Sequence, residues 1–153
     1  MKYLTVMPDK TLPIPRIANS SDFNVLRAVL QNQQDKLPAK TVFRLRELPV
    51  YGLPDVIFAP VLMVSKLFYS CVCMYHPYQK AIPIRLIYPD GIAPYFILLL
   101  EEEGKEEGIS DCMQHIFQVQ QDKKIKMKIS LDLLESLLRR GAFGFVLVDG
   151  QEE

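Results

Sequence analysis

The chain has 153 residues, 49% of them hydrophobic and 24% charged. That is enough for one compact domain whose core needs no disulfide or metal, and it excludes a disordered, collagenous or fibrous chain. Lysine plus arginine and aspartate plus glutamate number 18 each, so there is no overall positive charge to favour nucleic acid or acidic lipid.

The charge is nevertheless uneven. Residues 1–50 carry +4 and residues 101–153 carry −5. Opposite faces of unlike charge, or a polar partner-binding surface, would both account for this. No secretory signal is expected, because Met1–Pro8 has one lysine and no long apolar run. Cys71, Cys73 and Cys112 form an odd, sparse set that suits a reducing cytosol better than a disulfide framework. Val56–Gln79 holds a single charge, Lys66, near its middle. A lysine there costs roughly 2.5–3.5 kcal/mol on insertion into a bilayer, and Pro60 and Pro77 interrupt the run, so it reads as a strand and a core helix.

Taken in chain order, Lys2–Val6 alternates weakly and predicts a short strand. Pro8, Pro13 and Pro15 mark an extended linker. Ser21-Asp22 opens a helix carrying Phe23, Leu26, Val29 and Leu30. Thr41–Leu48 alternates and predicts a half-buried edge strand, with Phe43 and Leu45 on one face and Val42, Arg44 and Arg46 on the other. Asp55–Val64 predicts a strand with a bulge or break at Pro60. Ser65 is the expected N-cap of a helix whose inner face holds Val64, Phe68, Cys71, Val72 and Tyr75 and which Pro77 ends. Ala81–Tyr88 and Tyr95–Leu100 predict an antiparallel hairpin across Pro89-Asp90-Gly91. The acidic run from Glu101 to Gly108 is a solvated loop tip. Ile116–Val119 and Ile125–Ile129 are strands about a Gln121–Lys124 turn. Ser130 caps a helix, Leu131–Arg140, with an apolar stripe of Leu131, Leu134, Leu137 and Leu138, closed by Gly141. Phe143–Val148 is the last strand, and Asp149–Glu153 is a tail. Strand, serine cap, helix and strand thus occur twice, over Val56–Leu86 and Ile125–Val148, without sequence identity.

Several constellations invite chemistry. A zinc site from Cys71, Cys73, Cys112 and His115 would need four converging ligands. Two positions on a helix differ by about 200°, so Cys71 and Cys73 point apart, and buried inert thiols are the expectation. Cys112/His115 and Cys73/His76 each place a thiol and a base one turn apart, with no oxyanion-hole glycine motif beside them. Glu101–Glu107 is a run of like charge on one loop, not a pair of carboxylates in different environments. Gly141–Gly144 follows a helix, the wrong polarity for a phosphate loop. Lys124, Lys126 and Lys128 share one face of a strand, which reads as solvated or edge-protecting and not as a nucleic-acid platform.

A family resemblance begins at Pro54. Pro54-Asp55-Val56-Ile57, Val61-Leu62-Met63-Val64-Ser65 and Tyr75-His76-Pro77, then Ile116-Phe117-Gln118-Val119 and Ile129–Gly144, resemble a bacterial family of small immunity proteins, the eleventh type of the polymorphic-toxin classification, also filed as a domain of unknown function. The resemblance covers residues 54–148 and leaves 1–53 outside it. It rests on apolar patterning and caps, and it carries no catalytic residue. It implies an intracellular bacterial protein that binds and neutralises a cognate toxin.

The expectation is an α+β fold, a mixed and largely antiparallel sheet with two or three packed helices, in a single domain of residues 1–153. The expected function is non-catalytic protein binding in the cytoplasm, without cofactor, metal, nucleic acid or membrane. A regulatory or structural protein without a toxin, and a small Cys/His enzyme, are the alternatives. Glu101, Glu102, Glu103, Glu106, Glu107 and Asp111 are the candidate partner-binding residues, since six of the eleven positions from Glu101 to Asp111 are acidic.

Overall fold

The computed structural model describes residues 2–11, 41–45, 51–58, 61–101, 114–121 and 124–149. The helix expected from Ser21 lies outside them. The fold is α+β, with two helices and two mostly antiparallel sheets among the described residues. One sheet has four strands in the order β7-β8-β1-β9: Ile116–Gln121, Lys124–Ser130, Tyr3–Pro8 and Phe145–Asp149. The other has five in the order β2-β5-β6-β4-β3: Thr41–Arg44, Ala81–Tyr88, Gly91–Leu98, Met63–Ser65 and Val56–Ile57. Among the described strands only β2 runs parallel to its neighbour, β5. Helix α1 spans Lys66–Tyr75 and helix α2 spans Leu131–Arg139.

The strand predicted over Asp55–Val64 is two strands. β3 and β4 pair antiparallel, Val56 with Val64 and Ile57 with Met63, so the chain reverses where a single strand was expected. The period of two sorts their side chains. Val56 and Val64 enter a core shared by both helices and both sheets, while Ile57 and Met63 enter a second core with Phe43, Ile84, Leu86 and Tyr95. β6 does likewise, sending Leu98 one way and Tyr95 and Ile97 the other. This explains why Tyr95–Leu100 reads as apolar on both faces.

The repeated pattern extends further than its sequence shows. β3-β4-α1-β5-β6 and β7-β8-α2-β9 build matching four-strand arrays, β3-β4-β6-β5 and β7-β8-β1-β9, with every neighbouring pair antiparallel. β1 fills in the second array the slot that β6 fills in the first. Registers agree: cap residue Ser65 lies opposite Tyr95, and cap residue Ser130 lies opposite Tyr3. β8 is therefore an interior strand, and the edge role expected for its lysines is corrected. Lys126 and Lys128 are half-buried, and Lys128 is the register partner of Thr5 and of Phe117.

Helix α2 also departs from expectation. Leu133, Leu134 and Leu137 are buried, whereas Leu131 and Leu138 are exposed. Gly141, at φ +78°, takes the left-handed conformation that ends the helix. Gly144, at φ +98°, lies so close to Pro54 that a β-carbon would collide with the proline ring.

Candidate functional site

The polar side chains at the heart of the fold gather into two matching joints. Each begins at the residue just before the first strand of a unit, Asp55 ahead of β3 and His115 ahead of β7. In each, the cap serine donates its backbone N–H to that residue's carbonyl, Ser65 to Asp55 at 2.9 Å and Ser130 to His115 at 2.8 Å. Both serine hydroxyls accept an N–H from the first turn of the helix, Phe68 on Ser65 and Leu133 on Ser130, at 3.2 Å. This is the geometry of a helix N-cap.

Each joint also reaches across to the other unit. Asp55 is 8% exposed. Its Oδ1 accepts the Ser65 hydroxyl at 2.5 Å, and its Oδ2 accepts the Phe143 N–H at 2.8 Å. The Asp55 N–H in turn donates to the Phe143 carbonyl at 2.9 Å. A buried carboxylate is tolerable when its oxygens are hydrogen-bonded in this way. Tyr95 donates its hydroxyl to the Pro54 carbonyl beside it, and burial, followed by the charge of Asp55, pushes that phenol well above its usual range.

At the second joint the His115 N–H donates to Nε2 of His76 at 2.8 Å, and Nδ1 of His115 lies 2.7 Å from the Ser130 hydroxyl. The two imidazole centroids are 5.6 Å apart, and the Tyr75 ring lies 4.5 Å from His115. Tyr75 ties α1 to α2 by donating to the Asp132 carbonyl at 3.0 Å and sharing a 2.8 Å bond with Ser136. His115 is half-buried, and its pKa lies below the ordinary histidine value, first because of burial and then because of His76, with Asp132 opposing.

The residues singled out from sequence are distributed differently. Of the acidic candidates only Glu101 is described; it is exposed, and its carbonyl accepts the Gln118 N–H on β7 at 2.9 Å. Glu102, Glu103, Glu106, Glu107 and Asp111 lie outside the described residues, as does Cys112. Cys71 is fully buried and Cys73 half-buried, on different sides of α1. Burial pushes the Cys71 thiol up. Tyr69 donates its hydroxyl to the Gln79 carbonyl at 3.2 Å, and its phenol is raised by burial and then by neighbouring Cys73. The Cys73/His76 pairing considered from sequence is thus replaced by Cys73 with Tyr69 and His76 with His115. Among the described residues, no group of three histidine, cysteine or acidic side chains converges as a metal site would need. No described helix is long and apolar enough to cross a membrane.

Each histidine has a cysteine near it in sequence, yet in the fold the two histidines meet each other. The available signal was positional: Asp55 and His115 both directly precede an apolar strand that leads to a serine-capped helix. No protein-family model, curated protein or solved structure matches the chain.

Proposed function

We propose that this protein is a non-catalytic binding module that neutralises a cognate protein, a toxin of the polymorphic type, by stoichiometric association in the bacterial cytoplasm. The observation that carries the reading is the surface at the exits of the two helices. Met74 and Tyr78 are 59% and 95% exposed, and Leu138 is 52% exposed. Arg140 lies against Met74, Nη2 to Sδ at 3.6 Å. Methionine, tyrosine and arginine are the residue types enriched in protein interfaces and their energetic anchors. The groups with chemical potential support the same reading, since Asp55, Ser65, Ser130, His76 and His115 are engaged in holding strands and helices together. The six acidic residues from Glu101 to Asp111 carry charge of the sign that steers a basic partner.

The test is genetic. The protein encoded by the adjacent reading frame is expressed with and without this chain. Restored growth with wild type, and loss of that protection when Met74, Tyr78 and Arg140 are together changed to alanine in a variant of unaltered thermal stability, is the expected result. Undiminished toxicity in the presence of folded wild-type protein contradicts the proposal.

A further inference from the structure

The two joints share their architecture but not their chemistry. One closes on a carboxylate, the other on both histidines of the chain. Hydrogen bonding fixes where the imidazole protons sit. The His115 N–H can only donate, so Nε2 of His76 is an acceptor and carries no proton. The Ser130 hydroxyl already accepts from Leu133, and its counterpart Ser65 donates to a carboxylate oxygen in the same geometry. We assign the same donor role to Ser130, 2.7 Å from Nδ1 of His115, which leaves that nitrogen without a proton. In this assignment the joint is complete only while both nitrogens are bare.

We propose that the His76–His115 joint is an acid-operated latch. Protonation of the imidazoles on acidification through the histidine range releases the exit of α1 from the entry to β7 and loosens the four-stranded sheet, whereas the Asp55 joint contains no imidazole. A proton on Nε2 of His76 sets a donor against the His115 N–H. A proton on Nδ1 of His115 reverses its bond with the Ser130 hydroxyl that caps α2, which must then accept and turn its own proton away. Two imidazolium rings with centroids 5.6 Å apart also repel, and they stand beside the N-terminus of α2, where the helix dipole disfavours positive charge. Among the described residues, the groups that bear on His115 are Tyr75 from α1, Asp132 from the first turn of α2, and the ring of His76. Asp132 is the one that favours the charged form, and burial together with mutual repulsion outweighs it.

The folded pKa of His115 is lower than its unfolded value, so the unfolded chain binds the proton more readily. The stability owed to the neutral ring is complete above the unfolded pKa, about 6.5, and is lost as pH falls through the folded pKa. The unfolding equilibrium shifts about tenfold for each unit separating the two.

Hydrogen exchange followed by NMR at pH 7.5 and 5.5, corrected for intrinsic rates, tests the latch on the full chain. The account expects protection of the His115 amide and of β7 and β8 to fall at least several-fold at pH 5.5, with β5 and β6 unchanged. The double variant His76→Gln and His115→Asn keeps an accepting oxygen near each nitrogen and removes both titrations, so its protection should not differ between the sheets on acidification. Equal loss in both wild-type sheets, or the same selective loss in the double variant, overturns the proposal. Should that variant not fold, ring titration in the wild-type protein decides: a His115 pKa at or above 6.5 overturns the latch, and one below it, with the fall in β7 protection tracking it, supports it.

Discussion

Asp55 is the residue on which most of the first joint converges. Its carboxylate holds the cap serine of α1 and the backbone of Phe143, 88 positions away. Asp55→Ala leaves a buried hydroxyl and an amide without their acceptor, so it should cost about 2–4 kcal/mol. Urea unfolding at pH 7 measures this, and a loss under about 1 kcal/mol would mean that water replaces the carboxylate. Cysteine reactivity gives a second test at this scale. Cys71 is buried and its thiol raised, while Cys73 is half-buried. In a Cys112→Ser background, iodoacetamide at pH 8 should label Cys73 well before Cys71, because the thiolate is the nucleophile and needs access. Equal labelling rates would contradict the orientation of α1.

Helix α2 shows what was legible at the scale of elements. Its limits were readable because Ser130, Asp132, Arg139 and Gly141 are local signals whose action stays within a turn or so. Its buried face was not. Five leucines among eight residues allow two stripes, Leu131/Leu134/Leu137/Leu138 and Leu133/Leu134/Leu137, and only contact with β8 and α1 chooses between them. Leu134→Ala should therefore cost about 2–5 kcal/mol, and Leu138→Ala less than about 0.5 kcal/mol. Urea unfolding of both variants is the check; comparable losses would restore the stripe expected from sequence. Ser130→Ala removes the cap and the hydroxyl facing His115, and a loss of about 0.5–2 kcal/mol is expected. The β3–β4 reversal was hidden for a similar reason. Two strands of two and three residues are too short for alternation to distinguish from a single interrupted strand.

At the scale of the whole molecule, local pattern revealed two similar units but not how the second is completed. The missing strand comes from the other end of the chain, where β1 inserts between β8 and β9. Pairing across more than 100 residues leaves no periodic trace in either segment, so a weakly alternating Lys2–Val6 concealed an interior strand, and the lysines of β8 suggested an edge. Of the candidate contact surface, the acidic segment was visible as composition. The contact of Met74 with Arg140 was not, because it depends on how the helix exits meet. If the acidic segment steers a basic partner, changing Glu101, Glu102, Glu103, Glu106 and Glu107 to glutamine should slow association and flatten its salt dependence, with thermal stability nearly unchanged. Stopped-flow mixing at low and physiological salt reads this, and identical rates would remove the segment from the interface. The most direct test of stoichiometric neutralisation is an activity titration of the protein encoded next to this one, held far above its dissociation constant. Activity falling linearly to zero at one equivalent is the predicted result. Complete loss of activity at a small fraction of an equivalent would instead show catalytic turnover and contradict the account.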